Sequence, residues 1–173
     1  MTCARWLLAL LLCSLVGCGF QLRGSPALSG DGEAVYVVQE HSDNPLRRRI
    51  SQQIEIYNLR AVEAAGAAKY RFVISEVERT DTVLSLDSDA RTAERRLLIE
   101  ADLQLLGDDG QLLQNQRIRE QRILFTDPDN PVGDSIESQL VINELEDATA
   151  QRIALLLARW LDKAHETARR PAQ

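Results

Sequence analysis

The sequence predicts an α+β fold: a two-layer sandwich with two helices packed on one face of a mostly antiparallel four-stranded sheet. Three observations predict it. Leu97, Ile99, Ala101, Leu103 and Leu105 alternate with Leu98, Glu100, Asp102 and Gln104, the pattern of a strand with one buried and one wet face. Extended runs lie on both sides of it, and Gly107-Asp108-Asp109-Gly110 is a tight turn of hairpin type. Apolar stripes at helical spacing bracket the three strands: Leu46, Ile50, Ile54 and Tyr57 before them, Ile142, Leu145, Ile153, Leu156 and Trp160 after.

The elements follow in order. Ala34 to Gln39 is short, apolar and β-branched, a strand. Asn44 can cap a helix whose first residue is Pro45. That helix is expected to end near Ala65, at Gly66. Its first turn carries Arg47, Arg48 and Arg49, which the helix dipole disfavours and which read as a solvated face or a patch for an acidic or phosphate-bearing partner. Tyr70 to Leu86 is a long strand, and Asp87 to Thr92 a polar connection. Leu112 to Phe125 returns as a more polar strand, with Arg117 and Arg119 on one face and Arg122 on the other. The prolines of Asp127 to Pro131 break the pattern. Ser135 is the expected cap of a last helix running to Thr167.

The start of the chain belongs to export rather than to the fold. A basic start at Arg5 precedes an apolar run from Trp6, which exits through Leu15-Val16-Gly17-Cys18. A spanning helix needs about 20 apolar residues, and this run stops well short. The exit is a lipobox, so cleavage before Cys18 and acylation of that cysteine are expected. The domains are then residues 1–17, a lipoprotein signal peptide; 18–33, the lipidated Cys and tether; and 34–173, a single domain. Cys3 and Cys13 leave with the signal and the lipid consumes Cys18, so no disulfide is expected.

Composition excludes several functions. Acidic residues outnumber basic ones, 26 to 20, which argues against nonspecific nucleic-acid binding. His41 and His165 lie apart with no ligand spacing, so neither metal nor cofactor is expected. There is no nucleophile elbow and no phosphate-binding glycine loop. Asp87, Asp89, Asp108, Asp109, Asp127 and Asp129 all fall in turns, where carboxylates cap the backbone. Glu144, Glu146 and Asp147 read as a solvated helix face. No enzyme is expected. The remaining signal is a set of surface arginines: Arg91, Arg95 and Arg96 at one end of the long hairpin, and Arg117 and Arg119 on the strand beside it. Guanidinium binds phosphate bidentately, which suits lipopolysaccharide. The competing reading is cross-strand ion pairing with Glu94, Glu100, Asp102 and Glu120.

Cys18-Gly19-Phe20-Gln21-Leu22-Arg23-Gly24 resembles the Cys-Gly-aromatic-x-Leu-Arg start of the LPS-assembly lipoprotein LptE family. Further points of likeness follow in order: Asn44 to Leu46 opening the first helix, Thr92-Ala93-Glu94 before the alternating strand, and Phe125-x-Asp127 ahead of a long final helix. The resemblance implies two helices on a four-stranded sheet and a lipid-anchored protein of the outer membrane, facing the periplasm. It also implies a plug within the β-barrel protein LptD, a role in that barrel's assembly and in lipopolysaccharide insertion into the outer leaflet, and no catalysis. Gly19 after the acylated cysteine is compatible with export to the outer membrane. In better-known relatives, basic residues in the hairpin loop and before the last helix are tied to lipopolysaccharide. Here those places read Asp87-Ser88-Asp89 and Gly133-Asp134-Ser135, so that role does not carry over to them. The alternative is a free-standing envelope lipoprotein that binds lipopolysaccharide or phospholipid, which needs an exposed apolar concavity.

Overall fold

The first helix stops at Ile56, because Asn58 turns the chain with a left-handed φ of 59°. Asparagine tolerates that conformation better than most residues. The computed structural model describes residues 32–39 and 45–169, so the expected signal, Cys18 and most of the tether lie outside the described residues. Within them, β1 spans Glu33–Gln39, α1 Pro45–Ile56, β2 Leu59–Val62, β3 Tyr70–Leu86, β4 Thr92–Leu106, β5 Leu112–Phe125 and α2 Pro131–Arg169.

The sheet corrects the expectation. It is five-stranded and mixed, in the order β2-β1-β3-β4-β5, rather than four-stranded and mostly antiparallel. β1 pairs in parallel with both β2 and β3, while β3–β4 and β4–β5 are antiparallel. The additional strand, β2, falls where the sequence predicts the end of the first helix. Four residues carry too little periodicity to declare themselves, and β2 exists because Leu59 to Val62 find the backbone of Glu33 to Tyr36. Gly66, expected to end that helix, lies instead in a short 3₁₀ turn between β2 and β3.

One core joins both helices to one face of the sheet. Leu46, Ile50 and Ile54 of α1 and Ile153, Leu157 and Trp160 of α2 are buried with Phe72, Ile74 and the five apolar β4 residues named above. The opposite face of the sheet is charged along its middle, with Arg117, Arg119, Glu100 and Asp102, and exposes Ile123 and Phe125 toward the β3–β4 turn. α2 begins at Pro131 rather than at Ser135. The Asn130 side chain accepts the N–H of Gly133 at 3.1 Å, and its carbonyl that of Asp134 at 3.0 Å. The same Asn-Pro signal as in Asn44-Pro45 marks this start. At about 1.5 Å per residue, the 39 residues of α2 reach roughly 58 Å, comparable to β3, which rises about 3.3 Å per residue.

Glu146 also departs from expectation. It is 4% exposed, inside the molecule rather than on a solvated face. Arg49 Nε of α1 reaches it at 3.1 Å and Arg79 Nη2 of β3 at 2.8 Å. Arg49 also donates to Asp147 and, at 3.0 Å, to Asn143. One carboxylate thus fastens α1, α2 and β3 together, and Arg49 in the first turn of α1 serves that junction.

Candidate functional site

β3 and β4 run on beyond the pairing with β1, which stops at Ile74, as a long hairpin, and its far turn holds the first of the predicted arginines. The turn is built by Asp87, whose carboxylate accepts the N–H groups of Asp89 and Arg91, both at 2.9 Å. Those bonds hold the Asp87 carboxyl below its usual range, the Arg91 N–H contributing most. Arg91 then donates Nε to Asp87 and Nη1 to Asp129, each at 2.9 Å. Asp129 stands in the loop before α2, so Arg91 ties the hairpin turn to that loop.

The other arginines separate by strand alternation. Arg95 falls on the helix-bearing face and forks onto Asp81. Arg96, Arg117 and Arg119 fall on the open face. Arg117 donates to Asp102 at 2.7 and 2.6 Å and to Glu76 at 2.6 Å. Glu76 reaches across because β3 bulges there, with a φ of 49° and a register shift between Ser75 and Glu78. Arg117 holds the Asp102 carboxyl below its usual range. Arg119 donates to Glu100 at 2.9 and 2.7 Å. The open face therefore carries a ladder of cross-strand ion pairs, with Asp102 and Glu100 as its acids. Glu94 instead accepts the Ser85 hydroxyl, and Glu120 pairs with Arg152 of α2.

Arg96 differs. It lies between Thr82 and Ile123 in the register, and among the described residues it forms no ion pair. Around this end of the hairpin, large apolar side chains face solvent: Leu84, Leu86, Ile123 and Phe125 on the sheet. Val132, Ile136 and Leu140 form an exposed stripe on the first turns of α2. Sequence reasoning missed that stripe, although its four-residue spacing was there to be found. A guanidinium without a carboxylate beside exposed apolar surface is an amphiphilic arrangement. Among the described residues, no cluster of side chains could hold a metal ion, and no helix is long and apolar enough to cross a membrane.

Residues 33–157 match the family described as "LptE: Lipopolysaccharide-assembly". The chain belongs to the LptE family. Two curated relatives carry the name "LPS-assembly lipoprotein LptE". The protein from Photorhabdus laumondii is 28% identical over 148 residues, covering 85% of this chain and 80% of its own. That from Yersinia enterocolitica is 27% identical over 149 residues, covering 85% and 71%. Solved structures share the fold. A lipoprotein B from Nitrosomonas europaea has a TM-score of 0.70 at 21% identity, covering 89% of this chain and 99% of its own. The rare lipoprotein B from Shewanella oneidensis has a TM-score of 0.65 at 20% identity, covering 77% and 99%. Membership supports a role in lipopolysaccharide assembly as an envelope lipoprotein.

Proposed function

We propose that this protein is anchored in the outer membrane through an acylated Cys18, plugs and helps assemble the LptD β-barrel, and takes part in placing lipopolysaccharide in the outer leaflet without catalysing a reaction. The family match over residues 33–157 carries this reading. The open face supports it physically. Large barrels have polar interiors, and a domain inside one must offer polar surface without a strong net field. The ladder of Arg117, Asp102, Arg119 and Glu100 is such a surface, because each guanidinium there is already matched. An acyl anchor in the same bilayer raises the effective concentration of the domain beside its barrel.

In this reading lipopolysaccharide phosphate meets the hairpin end, where Arg96 offers an uncommitted guanidinium beside Leu84, Leu86 and Ile123. Arg91 and Arg95 frame that end, Arg91 already shared between Asp87 and Asp129 and Arg95 held by Asp81. Arg117 and Arg119 serve the ladder. The test is capture of the tagged full chain from detergent-solubilised envelopes, followed by mass spectrometry. A large outer-membrane barrel at one-to-one stoichiometry, and cysteine-linked lipid on the captured chain, are expected. An unlipidated chain with no barrel overturns the proposal, and capture of lipopolysaccharide or phospholipid alone favours the free-standing carrier.

A further inference from the structure

The sequence contains 18 arginines and only two lysines, Lys69 and Lys163. Both lysines line one cleft of about 390 Å³. The cleft lies under the last turns of α2, against the β4–β5 turn and the start of β3. The β4 strand separates it from the Arg91 turn by roughly 50 Å, at about 3.3 Å per residue over 15 residues. It is therefore distinct from the hairpin end, and the inference does not depend on the plug reading.

The lining has three kinds of surface. Tyr70, Leu113 and Trp160 give an apolar floor, with Trp160 still 8% exposed and Tyr70 beneath the Lys69 ammonium, which is 5.2 Å from its ring centroid. The Gln111 and Gln114 carboxamides add uncharged donors and acceptors, and the Thr167 hydroxyl, which donates to the Lys163 carbonyl at 2.9 Å, adds an acceptor. Asp108 and Asp109 stand at the mouth, but each already accepts a backbone N–H of its own turn at 2.9 Å. Lys69 and Lys163 form no ion pair among the described residues. This contrasts with the arginines of the hairpin, most of which are matched to carboxylates. An aromatic floor, a rim of amides and two ammoniums that meet no carboxylate, Lys69 resting only on the Tyr70 ring, fit a compact ligand with an apolar face, several hydroxyls and a negative charge.

We propose that the cleft binds an acidic sugar, a pyranose bearing a phosphate or carboxylate. The ring lies over the floor, its acid falls between Lys69 and Lys163, and its hydroxyls meet Gln111, Gln114 and the free carboxylate oxygens of the turn. Lysine suits this task as a mobile point charge that adapts to either acid.

The test uses the full chain in detergent, with Trp6→Phe included so that Trp160 is its one tryptophan whether or not residues 1–17 are removed. Its emission is titrated with glucose 6-phosphate, glucuronate, glucose, inorganic phosphate and phosphatidylglycerol vesicles. A saturable change below about 10 mM is expected for the two acidic sugars and for none of the others. Lys69→Gln with Lys163→Gln should weaken it at least about tenfold, and Lys69→Arg with Lys163→Arg should hold it within about threefold. Urea midpoints within error of the parent show that both variants fold. No saturable change with the acidic sugars, or equal binding by the glutamine pair, overturns the proposal. An equal response to glucose removes the role of charge, an equal response to inorganic phosphate removes the sugar, and a response to vesicles alone assigns the lysines to a lipid surface; each refutes the site as stated.

Discussion

Glu146→Gln keeps the volume of the side chain and removes its charge. In the parent, that carboxylate receives Arg49 at 3.1 Å and Arg79 at 2.8 Å while only 4% exposed. A buried hydrogen bond to a charged group contributes about 1.5–3 kcal/mol. Two such bonds set an upper figure that must be discounted. The Arg49 and Arg79 side chains remain 27% and 42% exposed, and Arg49 keeps Asp147 and Asn143 as partners. The expected cost is roughly 2 kcal/mol, between an exposed pair and a fully buried one. For a domain of this size that lowers Tm by about 4–8 °C. The assay is urea and thermal unfolding followed by far-ultraviolet circular dichroism. Asp147→Asn is the control, because Asp147 meets the same arginine but is 52% exposed. It should cost less than about 1 kcal/mol and lose its effect in 1 M salt, where the Debye length is about 3 Å. Glu146→Gln should keep most of its effect there. A loss below about 0.5 kcal/mol, or one no larger than that of Asp147→Asn, refutes the view that Glu146 fastens the two helices to the sheet.

Trp160→Ala removes a buried ring that meets Phe72 edge-on, and should destabilise by about 3–5 kcal/mol in the same assay. Asn58→Val places a β-branched residue at a φ of 59° and should cost about 1–2 kcal/mol, while Asn58→Gly stays near the parent. Because Arg117 lowers the Asp102 pKa in the folded protein, this pair stabilises fully above the ordinary value of 3.8 and progressively less as pH falls through the folded value. Asp102→Asn should therefore flatten the acid limb of a stability–pH curve; an unchanged limb contradicts the pairing. Arg96→Glu should weaken capture on immobilised lipopolysaccharide with no shift in the urea midpoint, and unchanged capture removes Arg96 from the surface.

Local chemistry alone determined much of this protein. Alternation in residues 97–105 named β4 and its buried face, since period two leaves no other assignment. Asn44-Pro45 marked α1, and the heptad from Cys18 to Gly24 with its ordered companions pointed to the family. Tertiary structure decided the rest, for one physical reason: the missing information lay in partners distant along the chain. β2 is a strand through parallel pairing with β1, which no window of four residues contains. Glu146, one acid among three in Glu144 to Asp147, is drawn inside by Arg49 and Arg79 from two other elements. The arginines looked alike in sequence, and only the register showed which meet a carboxylate and which, like Arg96, do not. The two lysines stand far apart in the chain, and the return of α2 over the start of β3 brings them to one cleft.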